Sequence, residues 1–220
     1  LMGDWNIVTI PNALNTDIYA PRAKAACRAR LGLPQNERLI CFGAQGVNAD
    51  PNKGFDLLVK ILIALGKREE DQPIRCLVFG NTKDGPPSYG GIPATHLGRL
   101  TTDDMLIDTY CASDLVILPS RQENLPQVAT EALSCGRPVM GFSTCGVKDV
   151  IVDGETGLLV PAFDTEHAAD AVAQLLKQSE RLEIYGENAR QRAVREWSEP
   201  VVAAQYEECF RAAKAAFECT

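Results

Sequence analysis

Apolar positions along the chain follow two periods. Between residue 38 and about residue 160, short continuous apolar runs alternate with stretches of helical spacing. The runs are Leu39-Ile40-Cys41-Phe42, Cys76-Leu77-Val78-Phe79, Leu115-Val116-Ile117-Leu118 and Pro138-Val139-Met140-Gly141-Phe142, and the helical stretches lie at roughly 54–68, 103–112 and 125–135. Runs without polar alternation are strands buried on both faces, and strands separated by helices build parallel βαβ units. The pattern predicts an α/β chain with a Rossmann-like, doubly wound parallel sheet and helices on both faces. In such sheets ligands bind beyond the carboxyl ends of the strands.

Outside this region the pattern changes. Ile7-Val8-Thr9-Ile10-Pro11-Asn12 reads as a strand running into a turn, and Asp84-Gly85-Pro86-Pro87-Ser88-Tyr89-Gly90-Gly91 as one exposed loop. After Pro161 the spacing is helical to the end. Ala168, Val172, Leu175 and Leu176 form one stripe, a second helix falls near 180–195, and a third spans about 199–217. The third carries Val202, Tyr206, Cys209, Phe210 and Ala213 on one face, an apolar stripe that needs a surface to cover it, from this domain or from a partner.

Composition narrows the function classes. Over 220 residues, 45% apolar and 23% charged residues fit a globular core, and a net charge of −7 argues against a surface that wraps nucleic acid or anionic membrane. A bound phosphate must therefore be held locally. No apolar run reaches the ~18 residues of a membrane span and no signal peptide opens the chain, which reads as cytoplasmic. A start at Leu1 suggests a piece of something longer. The eight cysteines form no C-x-x-C pair and the two histidines, His96 and His167, are far apart in sequence, so core packing is expected for the thiols and no metal site.

The stretch richest in chemistry runs from Leu118-Pro119-Ser120 through Glu123-Asn124-Leu125-Pro126-Gln127 to Glu131 and Gly136-Arg137-Pro138-Val139. A buried strand ends at Pro119, and Asn124 is expected to cap a helix with Pro126 in its first turn. The free amides of that turn would suit a phosphate in an otherwise acidic protein. Glu123 stands before the helix and Glu131 about seven residues in, hence roughly 10 Å along the axis at 1.5 Å per residue. A carboxylate accepts two hydrogen bonds side by side, which suits vicinal hydroxyls. Carboxylate, amides and carboxylate in this order outline a nucleotide sugar. A second loop, after the first strand, contributes Gly43 and Gly46, whose backbone can approach a ligand, and Lys53, whose ammonium can neutralise a diphosphate. Each feature alone has a plainer reading: an acid at a helix start complements the dipole, a second acid faces solvent, a lysine is solvated. Neither G-x-G-x-x-G nor G-x-x-x-x-G-K-[ST] is present.

Taken together, these residues resemble the donor-binding, C-terminal half of a GT-B-fold retaining glycosyltransferase, of the group 1 or family 4 type that includes bacterial lipopolysaccharide and exopolysaccharide enzymes. The resemblance covers nearly the whole chain: Ile10-Pro11-Asn12, Lys53-Gly54, Glu123 and Glu131, Glu131-Ala132-Leu133-Ser134-Cys135-Gly136-Arg137-Pro138-Val139, and Asp153-Gly154-Glu155-Thr156-Gly157-Leu158-Leu159-Val160. It implies an interdomain linker over 1–21, a nucleotide-sugar-binding domain over 22–198 and a crossover helix over 199–220. It further implies that Glu123 faces the transferred sugar and, with Lys53, serves transfer, while Glu131 holds the ribose hydroxyls and Lys53 meets the diphosphate. Gly43, Gly46, Ser120 and the backbone near Asn124, Leu125 and Gln127 complete the binding surface, and Leu100 presents backbone to the base. The donor would be a UDP- or GDP-sugar, with no metal and no separate cofactor. The acceptor, a glycan or lipid-linked saccharide, would sit on an N-terminal half, to which any peripheral membrane association would also belong. Retention of anomeric configuration would follow from front-face attack assisted by the leaving phosphate. This chain departs from the family in having Ala44-Gln45 where an arginine often follows the first strand, and Asn124-Leu125-Pro126 where many members have glycine, aromatic, glycine. The competing readings are a non-catalytic nucleotide-sugar-binding module that acts through a partner and, less well matched by the Glu123–Glu131 spacing, a sugar-nucleotide epimerase.

Overall fold

A computed structural model describes residues 7–43, 50–68, 71–80 and 84–218. Among them seven strands form one sheet: β1 (Arg38–Gly43), β2 (Ile74–Phe79), β3 (Ser88–Tyr89), β4 (Ile92–Gly98), β5 (Leu115–Leu118), β6 (Val139–Phe142) and β7 (Gly157–Val160). The helices are α1 (Lys24–Arg30), α2 (Phe55–Leu65), α3 (Asp103–Ala112), α4 (Gln127–Ser134), α5 (Val147–Val150), α6 (Thr165–Leu176), α7 (Ser179–Trp197) and α8 (Glu199–Glu218). The spatial order is β3-β4-β2-β1-β5-β6-β7, and every pairing except β3 with β4 is parallel. Setting aside the short antiparallel β3, the chain leaves β1 toward β2 and β4, then returns to β1's other side for β5, β6 and β7. The strand order thus reverses between β1 and β5, the point at which a doubly wound sheet opens a crevice.

Why the apolar runs carry no polar alternation is visible at β1. Ile40 and Phe42 enter the core that holds α2 and α6, while Leu39 and Cys41 enter the core that holds α3, α4 and Trp197. Both faces of the strand are dry, so neither can be polar. Cys27, Cys41, Cys76, Cys111 and Cys135 are buried, in keeping with thiols used as small apolar side chains. No helix among the described residues is long and apolar enough to cross a membrane.

Three expectations need correction. Residues 7–12 form no strand; the chain that follows them attaches by the Leu14 amide donating to the Trp197 carbonyl at 2.8 Å and by the buried Tyr19, whose hydroxyl donates to Asp103 at 2.8 Å. The stretch 84–91 is not simply a loop, because Ser88–Tyr89 pairs with Ile92–Pro93 in a hairpin and Tyr89 is buried against Phe55. The helix expected from Asn124 begins at Gln127. Pro126 is its cap residue, with no side-chain cap, and its carbonyl receives the Ala129 and Thr130 amides. Proline supplies the fixed φ of a helix start but has no side-chain acceptor, so the first amides of α4 are left to other partners.

Candidate functional site

The crevice at the reversal point is a cavity of about 550 Å³, within the size range of small-ligand sites. Its walls come from the carboxyl ends of β1 (Gly43), β2 (Phe79, Gly80) and β5 (Leu118, Ser120), from Arg99 and Leu100 after β4, and from the start of α4. Two loops form its rim and are tied together. The Arg121 amide donates to the Asn52 carbonyl at 2.7 Å, and the Arg121 guanidinium grips Asp56 through two bonds of 2.7 and 2.8 Å. Gly54 makes this approach feasible: its φ is +67°, and a Cβ there would lie 2.0 Å from the Pro119 carbonyl oxygen. The contact places Lys53 beside the β5 loop.

Lys53 and Glu123, 70 positions apart, meet in an ion pair of 2.8 Å on the cavity wall. Glu131, within α4, lines the same cavity, with Ala129, Ala132 and Leu133 of the same helix fully buried. Its carboxylate accepts a hydrogen bond of 2.8 Å from the Tyr110 hydroxyl. Burial pushes the Glu131 carboxyl up to about 6; the Tyr110 bond acts against this and the charge of Asp103 adds to it. Burial, then the Glu131 charge, pushes the Tyr110 hydroxyl well above its ordinary range, so it remains a donor across the working pH range.

The sequence-predicted residues Gly43, Lys53, Leu100, Ser120, Glu123, Leu125, Gln127 and Glu131 all line this one cavity. Asn124 is exposed, and its carbonyl lies under Gly146, where a Cβ would sit 1.5 Å from the Asn124 oxygen. Gly43 has a different reason to be glycine than close approach to a ligand: a Cβ there would fall 1.9 Å from the Phe79 ring. Gly46 and the Ala44-Gln45 pair lie outside the described residues. Sequence reasoning missed Tyr110, Arg99, Gly80 and Asn12, all of which reach the cavity. Arg99 adds a second cation, with no carboxylate at ion-pair distance among the described residues. A polar residue following a strand end was the available signal for it. Tyr110 had none, since its partner is 21 positions away on another helix. No cluster of three or more His, Cys, Asp or Glu able to hold a metal occurs among the described residues.

The family described as "Glycosyl transferases group 1" matches residues 24–192, which takes in the whole parallel sheet and every wall of the cavity except Asn12. The chain belongs to the glycosyl transferases group 1 family. A D-inositol 3-phosphate glycosyltransferase of Rhodococcus jostii is 36% identical over 180 residues, covering 74% of this chain and 38% of that protein. Among solved structures, sucrose-phosphate synthase from Thermosynechococcus elongatus superposes with a TM-score of 0.78 at 27% identity, over 94% of this chain and 52% of the other. HepE from Anabaena, in complex with UDP and glucose, shares the fold at a TM-score of 0.74 and 20% identity, over 92% of this chain and 56% of its own. The group 1 chain described here therefore spans about half or less of the length of these relatives.

Proposed function

We propose that this chain is the donor-binding half of a retaining, metal-independent glycosyltransferase that moves a sugar from a UDP- or GDP-sugar to a glycan or lipid-linked acceptor. The observation that carries the reading is the gathering of Glu131, Glu123 and Lys53 around one crevice at the point where the strand order reverses. Glu131, aimed by Tyr110, accepts hydrogen bonds from the ribose diol. The first-turn amides of α4 near Leu125 and Gln127 face the diphosphate, in preference to Asn124, and Ser120 and Leu100 complete the nucleotide's surroundings. Lys53 has three N–H donors, so it can keep Glu123 and still reach a phosphate oxygen. Glu123, held by Lys53, accepts from hydroxyls of the transferred sugar.

Charge on the leaving diphosphate grows as the glycosidic C–O bond breaks, and cations already in place stabilise it without reorganisation. Lys53 and Arg99 fill this role, and Arg99 offers the charge that the arginine-less first loop does not. In the front-face route the acceptor hydroxyl attacks from the side the phosphate leaves, and a phosphate oxygen takes its proton. Glu123 then has a polar, positioning role and forms no bond to the sugar. UDP in the HepE structure favours uridine over guanosine. The acceptor half, joined through residues 1–21 and met by α8, lies outside this chain in the same reading.

Calorimetric titration with UDP, GDP and ADP, each against its monophosphate, tests it. Selective binding of one diphosphate is expected, and Lys53→Ala should weaken the diphosphate more than the monophosphate. A folded chain that binds none of the six, or a variant that loses both equally, would overturn it.

A further inference from the structure

A second cavity, of about 530 Å³, lies at the opposite end of the sheet. Arg38 opens β1, Asp114 precedes β5 and Arg137 precedes β6, so its floor is formed where these strands begin, whereas the nucleotide crevice lies where they end. Pro21 and Lys24 form one wall, and α7 forms the other with Glu183, Glu187 and Arg190. Close packing keeps the cleft narrow at its back, because Gly186 meets the Gly136 carbonyl with no room for a side chain: a Cβ would lie 2.4 Å from that oxygen.

Positive charge on the floor exceeds what the protein neutralises. The single carboxylate of Asp114 is shared by Lys24 at 2.7 Å, Arg28 at 2.8 Å and Arg38 at 3.6 Å, and it also accepts the Leu39 amide at 2.8 Å. Arg190 donates to the carbonyls of Thr16, Tyr19 and Ser134 and to the Ser134 hydroxyl, and has no carboxylate partner among the described residues. Arg137 has no ion-pair partner there at all. The Nε atoms of both Arg38 and Arg137 are buried without a hydrogen-bond acceptor. These two Nε atoms are closed off from the cleft, so a ligand there can reach the guanidinium groups only through their Nη atoms. Burial lowers the Lys24 ammonium below its ordinary range, and Asp114 only partly offsets this.

We infer that this cleft binds a phosphorylated polyol, with the phosphate on Arg137, Arg38 and Lys24 and the hydroxyls toward Glu183 and Glu187. A dianionic phosphate supplies several acceptors to guanidinium groups in fork geometry. Two carboxylates on the exposed face of α7 would repel a bare phosphate, but they accept hydrogen bonds from hydroxyls placed between them and the anion. The site is independent of the nucleotide crevice and does not rest on the donor reading.

Calorimetry on the 220-residue chain with sorbitol 6-phosphate, inorganic phosphate and sorbitol, each repeated on the Lys53→Ala variant, reads this out. Sorbitol 6-phosphate should bind at least about tenfold more tightly than inorganic phosphate, sorbitol should not bind, and Lys53→Ala should change neither affinity. Arg137→Ala should weaken the phosphate ester at least about tenfold with a nearly unchanged melting temperature, because its guanidinium makes no hydrogen bond or ion pair among the described residues. The double variant Glu183→Gln, Glu187→Gln should remove only the advantage over inorganic phosphate. Absence of binding by either phosphate would mean that water alone satisfies the cleft, and loss of binding in Lys53→Ala would assign the phosphate to the crevice; either result overturns the inference.

Discussion

Glu131 sets stability against binding. Its carboxyl is raised from the ordinary 4.5 to about 6, so the folded state holds its proton more tightly than the unfolded chain does. A folded pKa above the unfolded one gives a contribution that is complete below about pH 4.5 and is lost as pH rises through 6. At about 1.4 kcal/mol per unit, the ionised group costs the fold about 2 kcal/mol at neutral pH. Glu131→Gln, which can still accept the Tyr110 hydrogen bond, should therefore gain up to about 2 kcal/mol at pH 7.5 and nothing at pH 4, measured by urea unfolding at both. The same substitution should weaken nucleotide binding, and wild-type affinity should fall as pH drops below 6, where protonation removes an acceptor. A variant that is more stable but binds equally well would exclude Glu131 from the ribose contact. The sequence marked Glu131 through its apolar neighbours on one helix. It could not mark Tyr110, because nothing local ties a residue of α3 to a carboxylate on α4.

Pairing between elements shows which parts of the fold local pattern could reach. Strands buried on both faces, such as β1, β5 and β6, announce themselves by unbroken apolar runs. β4 does not: Pro93, Thr95 and His96 interrupt it, because among the described residues its outer side is paired only by the two-residue β3 and most of the strand is half exposed. The start of α4 escapes local pattern for a related reason: Asn124 is a good cap by type, but the Glu123 carbonyl before it accepts the Gly146 amide at 2.9 Å and the Asn124 carbonyl packs under Gly146. Charge adds to the packing of Cys27 in holding α1, and Arg22 before it, to α3. Arg30 and Arg22 draw the Asp108 carboxyl down to about 2, so this attachment is intact above about pH 4 and lost as pH falls toward 2. Arg28, with a side chain only 5% exposed, depends in the same way on Asp114. Asp114→Ala leaves that guanidinium buried without its carboxylate and should cost roughly 3–5 kcal/mol in urea unfolding, far more than removal of an exposed ion pair such as Arg211–Glu208.

Across the whole molecule, the sheet separates two kinds of chemistry. Its carboxyl edge carries the crevice with Lys53, Glu123 and Glu131, and its amino edge carries the arginine-rich cleft. α8 belongs to neither. Of its apolar face only Val202 is buried, whereas Tyr206, Phe210 and Phe217 are 46%, 68% and 83% exposed. The helix thus draws little support from the rest of the chain, and helices in proteins owe most of their stability to tertiary packing of an amphipathic face, which this one largely lacks. In spectroscopic terms, such a segment loses its helical signal gradually with no transition of its own. Circular dichroism at 222 nm should show a steep, non-cooperative slope before the main melt. Truncation after Ser198 should flatten that slope and leave the midpoint nearly unchanged. A flat baseline in the untruncated chain would mean that the aromatic stripe is already covered in solution, by a second copy if the baseline steepens on dilution.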